Sequence, residues 1–137
     1  MKTVLDMSFI SELIMVEISI WNKCNKNYSK MYLTIDTGAS VTTISTDILH
    51  KLGYDASTGS ERRILTASSV EFVKTVNLEK IMLGCIELEN VQVYAHTFPE
   101  SSFSLGVIGL NVLKEFDVNL LFSNKTVELT KLCPILQ

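Results

Sequence analysis

The residues of this 137-residue chain best suited to chemistry are Ile35-Asp36-Thr37-Gly38-Ala39-Ser40. An acid ends the apolar β stretch Tyr32-Leu33-Thr34-Ile35, and a glycine follows two residues later. A carboxylate held at such a turn is a candidate general base or acid, able to take a proton from water or give one to a leaving group. Asp-Thr-Gly alone is a weak signal. Far downstream, a second apolar-apolar-glycine stretch, Val107-Ile108-Gly109, also runs into a helical pattern, Leu110-Asn111-Val112-Leu113. The two together make the stronger pattern.

Other chemistries fail on spacing. His50 falls inside a predicted helix and His96 near a strand end, and neither has an acid or thiol partner nearby in sequence. No serine or cysteine nucleophile motif is present. Cys24, Cys85 and Cys133 are far apart and form no C-x-x-C or Cys/His ligand set, so a zinc site is not expected. Cys85 reads as a small core residue and Trp21 as hydrophobic filling. An odd cysteine count fits a reducing compartment better than a disulfide scaffold. Lys23, Lys26 and Lys30 sit among Asn and Ser without an aromatic ladder, and the net charge is −3. That pattern describes a solvated loop and not a nucleic-acid surface. No apolar run approaches the roughly 18 residues that span a membrane, and no signal-peptide core follows Lys2. A cytoplasmic protein with no membrane partner is the expectation.

These residues must be positioned by a mostly β chain. Apolar residues make up 47% and charged residues 20%, which fits a folded globular protein. The length fits one domain over residues 1–137, with a core from about 12 to 130. Val16, Ile18 and Ile20 alternate with Glu17 and Ser19, so residues 9–35 predict a hairpin whose return strand delivers Asp36. A short helix is predicted after Ser45 or Thr46, closing at Gly53, followed by a polar loop over 54–61. Ile64 to Val76 reads as two β stretches around Thr66-Ala67-Ser68-Ser69. Residues 78–83 and 86–95 predict a hairpin turning near Gly84. Ser101 to Ser104 read as a loop, Leu110 to Phe116 as a helical turn or two, and 118–121 with 126–129 as a last hairpin.

In Ile35-Asp36-Thr37-Gly38-Ala39-Ser40 and Val107-Ile108-Gly109-Leu110-Asn111-Val112-Leu113 the chain resembles the retropepsins, the single-lobe aspartic proteases of retroviruses and their cellular and bacterial relatives. The resemblance covers roughly residues 12–130, including a hairpin where that family has its flap. It implies a single-lobe, closed β-barrel with one or two short helices, and an aspartic endopeptidase needing no metal or cofactor. Asp36 would be the catalytic acid. One Asp-Thr-Gly per chain implies a homodimer, in which Asp36 meets Asp36 of a second copy on a two-fold axis. One carboxylate of such a pair keeps a proton while the other activates water. By the same resemblance Thr37 would cross-link the two loops, and Gly38 would admit the backbone of a peptide or protein substrate. Gly109 would pack on the catalytic loop and Asn111 would support it. Ala39, Ser40, Thr66, Ala67, Ser68, Ser69 and Ile108 would contact substrate, with Ile64 and Leu105 as further pocket walls. The tip Ala67-Ser68-Ser69 departs from the family's glycine-rich flap tip. That departure motivates the alternative, a catalytically weak or inactive dimeric peptide-binding or scaffold module of the same fold. The apolar tail Leu132-Cys133-Pro134-Ile135-Leu136 is a segment that could cross to a partner.

Overall fold

The computed structural model describes residues 1–9, 12–65, 68–98 and 105–133. Among the described residues ten strands follow in chain order: β1 (Lys2–Ser8), β2 (Met15–Asn22), β3 (Asn27–Ile35), β4 (Thr43–Ser45), β5 (Glu61–Leu65), β6 (Val70–Leu83), β7 (Ile86–His96), β8 (Gly106–Ile108), β9 (Phe116–Leu121) and β10 (Thr126–Lys131). Helix α1 (Thr46–Lys51) follows β4 and α2 (Leu110–Leu113) follows β8. Six strands close into a barrel in the order β2-β6-β7-β4-β8-β3, shut by a short β2–β6 seam at Ser19↔Met82 and Ile20↔Ile81. The expected mostly β, closed-barrel class with two short helices is what the chain adopts.

Alternation drives the barrel. In β2 the side chains of Val16, Ile18 and Ile20 are at most 3% exposed, with Glu17 and Ser19 facing out. Leu33, Ile44, Leu78, Val93 and Ile108 join them from other strands. Each such side chain taken from water contributes roughly 1.5–3 kcal/mol, so the barrel is a stiff frame for the loop after β3. Tyr54 also packs there. Its hydroxyl donates to the Trp21 carbonyl at 2.8 Å, and burial raises its pKa. Tyr28 donates to the Glu87 carboxylate, and burial together with that bond pushes its phenol up to about 12.

Four expectations change. A strand, β1, precedes the expected core and pairs with β10 over Lys2↔Thr130 to Asp6↔Thr126. The polar loop after α1 holds buried Tyr54 and Ala56, and a 3₁₀ turn at Ala56–Thr58. β6 runs unbroken from Val70 to Leu83, where the sequence reads as two stretches. Cys85 is exposed and not a core residue. It occupies the second place of a two-residue turn, after Gly84 at φ 60°, and a turn tip points its side chains outward. Trp21 is half-buried, with the Lys80 ammonium 4.2 Å from its ring centre and Tyr28 edge-on. Thr66, Ala67, the loop Ser101–Ser104 and the tail beyond Cys133 lie outside the described residues.

Candidate active site

Asp36 leaves the barrel at the end of β3. Its strand is held on both sides: the Ile35 N–H donates to the Ile14 carbonyl (2.9 Å) and the Asp36 N–H to the Ile108 carbonyl (3.0 Å). β3 and β8 are parallel neighbours through Thr34↔Val107 and Ile35↔Ile108. The first sequence motif and the second therefore end side by side at one rim. Beyond the strand a tight turn forms. The Gly38 N–H donates to Asp36 Oδ1 at 2.9 Å, and the Ala39 N–H to the Asp36 carbonyl at 3.2 Å. A Cβ on residue 38 would stand 3.2 Å from Asp36 Oδ1, so a side chain there would press on the carboxylate. Asp36 and Ala39 are half-buried, and Thr37, Gly38 and Ser40 are exposed.

The turn is fastened from below by the start of α2. The Leu110 N–H donates to the Ala39 carbonyl (2.8 Å) and the Asn111 N–H to the Ser40 carbonyl (3.2 Å). Gly109 makes this approach possible: a Cβ there would lie 2.6 Å from the Val41 carbonyl carbon and 2.8 Å from the Ala39 oxygen. Backbone cannot yield that much, so no other residue fits. Thr42 is the hub. It is 2% exposed, and its N–H and hydroxyl both donate to Asn111 Oδ1, at 2.7 and 2.8 Å. Its hydroxyl oxygen accepts from the Gly109 N–H at 3.0 Å, and its carbonyl from the Tyr94 N–H at 2.9 Å. Asn111 Nδ2 completes the set by donating to the Gln92 carbonyl at 2.7 Å. Every polar group of buried Thr42 is thereby satisfied, as a buried hydroxyl requires.

Of the residues singled out from sequence, Asp36, Thr37, Gly38, Ala39, Ser40, Ile108, Gly109 and Asn111 converge on this rim. Ser68 and Ser69 are exposed beside the tip of the β5–β6 hairpin, where Leu65 pairs with Val70. Thr66 and Ala67 fall outside the described residues. Thr42 is the residue sequence reasoning missed. One more threonine in a run of small polar residues has no spacing that marks it. A separate groove lined by Val4, Asp6, Glu17, Ser19, Lys30 and Met82 contains none of these residues. Among the described residues no cluster of three His, Cys, Asp or Glu could hold a metal, and no helix is long and apolar enough to cross a membrane.

Removing the Asn111 amide should loosen this floor. Asn111→Leu leaves the Thr42 N–H and hydroxyl unpaired in a buried place, at a cost of about 1–3 kcal/mol. A thermal melt should show the midpoint lower by several degrees, with unaltered circular dichroism below the transition. An unchanged melting temperature would show that the floor does not depend on this amide.

A family profile described as "gag-polyprotein putative aspartyl protease" matches residues 23–115. No curated protein matches the chain. Among solved structures, a retropepsin-like aspartic protease from Rickettsia conorii superposes with a TM-score of 0.68 at 17% identity, covering 94% of this chain and 89% of that one. The retroviral protease-like domain of Ddi1 from Leishmania major superposes at 0.57 with 13% identity, covering 88% and 94%. At such identities the likeness is one of fold.

Proposed function

We propose, because the chain belongs to the retropepsin-like family of gag-polyprotein aspartyl proteases, that it is an aspartic endopeptidase working as a homodimer. The observation that carries this reading is the fastening of the Asp36 turn. Gly109, Leu110 and Asn111 grip its back through the Ala39 and Ser40 carbonyls and Thr42, while Thr37 and Gly38 stay exposed at the front. A protein that used Asp36 only to end a strand would have no need of so rigid a support.

In this reading two Asp36 carboxylates meet across a two-fold axis. Two such groups cannot both ionise easily, so the pair holds one proton and titrates as a unit. The ionised member draws a proton from a water lying between them, and the water oxygen attacks the scissile carbonyl carbon. The protonated member hydrogen-bonds the carbonyl oxygen as charge develops there. The resulting tetrahedral intermediate collapses as the carboxyl that took the water's proton gives it to the leaving nitrogen, and the C–N bond breaks. Gly38 N–H, donating to Asp36 Oδ1, fixes the carboxylate's orientation. Thr37 braces the partner's turn. Ala39 and Ser40 line the channel, whereas Ile108, expected to contact substrate, is 1% exposed and packs into the barrel core, and the β5–β6 hairpin closes over a peptide bound as an added extended strand.

The surface that joins two copies is assigned to β9. In that strand Val118 pairs with Leu129 and Leu120 with Val127. Leu129 and Val127 are at most 1% exposed, yet Val118 and Leu120 on the same sheet face are 38% and 36% exposed, and Phe122 beyond them 59%. Among the described residues β9 has β10 on one side only, which leaves its other edge for a second copy. The strand starts shortly after α2, the helix that grips the Asp36 turn, so joining two β9 strands also sets two turns relative to each other. Three free, exposed cysteines support a reducing, cytoplasmic setting. The test is cleavage of a peptide library by the wild type, with Asp36→Asn as control.

A further inference from the structure

Glu71 lies in β6 between Val70 and Phe72, and strand alternation places it on the opposite face from them. The face of Val70, Phe72 and their neighbour Leu65 looks to solvent, at 47%, 64% and 78% exposure. The other face carries Ile64, Glu71 and Val73, and Val73 is 3% exposed. Glu71 therefore hangs from the side of the hairpin turned toward the barrel.

The pairing of β6 with β7 ends at Lys74↔Ala95. Past that point a recess opens, lined by Thr46, Glu71, Val73, Lys74, Ala95, His96 and Thr97 among others, with the Lys74 ammonium 3.8 Å from the Glu61 carboxylate. Glu71 Oε2 stands 4.0 Å from His96 Nε2, and the His96 ring meets Phe98 edge-on with centres 5.1 Å apart. His96 neighbours Ser45 across the β4–β7 pairing, and the Ser45 N–H donates to the Leu105 carbonyl at 2.8 Å. One line of contacts thus runs from the underside of the hairpin to the strand that ends in Ile108 and Gly109. Among the described residues, His96 is the one basic group within ion-pair distance of Glu71. Histidine carries charge only when protonated, so a permanent cation would hold the carboxylate better.

We propose that Glu71 is the specificity-determining acid of a substrate subsite for a lysine or arginine side chain. This rests on the reading of the chain as a peptide hydrolase with the β5–β6 hairpin over its substrate. The long methylene stem of such a residue lies along the apolar wall that Val73 and Ala95 give the recess, and its charged head reaches the Glu71 carboxylate. Norleucine matches the stem without the head.

The experiment uses statine-centred octapeptides that bind without being cut. A lysine is moved through their positions, with norleucine at the same position as control, and binding to the full chain is measured by calorimetry. At one position lysine should bind roughly 5- to 10-fold tighter than norleucine. Glu71→Gln should bring that ratio to about one, Glu71→Lys should reverse it in favour of norleucine, and His96→Gln should leave it. Absence of binding, absence of a lysine preference, or a preference that survives Glu71→Gln overturns the inference. A lysine preference intact in a protein that cleaves nothing would sink the hydrolase reading and leave the subsite standing. Cleavage without a Glu71-dependent preference would do the reverse.

Discussion

Asp36→Asn should leave the barrel folded and lower peptide cleavage by roughly 10³-fold or more, the scale of losing the group that moves the reacting proton and balances charge. Asparagine keeps the size of the side chain. Its amide oxygen can still accept from the Gly38 N–H, which holds Asp36 Oδ1 at 2.9 Å. The backbone bond from Asp36 N–H to the Ile108 carbonyl and the grip of Leu110 N–H on Ala39 are untouched. The fold therefore has little reason to respond, and a thermal melt should shift only slightly. Chemistry has every reason to respond, because an amide cannot take a proton from water. Steady-state kcat/KM on a peptide cut by the wild type reads the effect. Equal cleavage by the two proteins would show that Asp36 is not the catalytic acid, and absence of cleavage by either would leave the peptide-binding module as the better account.

Leu120→Asp should separate the proposed dimer into monomers and remove cleavage at concentrations where the wild type cleaves. Burying a leucine contributes about 1.5–3 kcal/mol, and two-fold symmetry applies each substitution twice. The dimer dissociation constant should rise roughly 100-fold or more. Leu120 is 36% exposed on an edge strand, so the isolated chain should keep its fold. Sedimentation velocity reads the assembly, and activity should return as concentration is raised above the new dissociation constant. A Leu120→Asp protein that stays dimeric and active would move the interface away from β9.

The site's centre was legible and its surroundings were not, for physical reasons. Ile35-Asp36-Thr37-Gly38 stands out because an acid at the end of an apolar strand has no packing role, and Val107-Ile108-Gly109 because its period changes at a glycine. Parallel pairing of β3 with β8 brings those two places together, and no periodicity encodes which strands become neighbours. β1 escaped notice because its inward set, Thr3, Leu5 and Met7, includes a polar residue, and its outward set, Lys2, Val4 and Asp6, includes an apolar one. Thr42 was invisible because its importance lies in its partners Asn111, Gly109 and Tyr94, all distant in sequence. Cys85 was misplaced because its composition class favours burial while its position at a turn tip dictates exposure. Glu71 acquired meaning only once the burial of Val73 showed which side of the hairpin faces the barrel.

The central claim is that Asp36 works only beside a second Asp36, and subunit mixing tests it most directly. A fixed amount of wild type, held well above its dimer dissociation constant, is equilibrated with rising amounts of Asp36→Asn chain. At a ninefold excess, random exchange leaves about a tenth of the original wild-type homodimer. Cleavage should therefore fall to about a tenth of its starting value although no wild-type chain has been removed. Cleavage that stays constant through the titration would show that each chain acts alone, and would contradict the account.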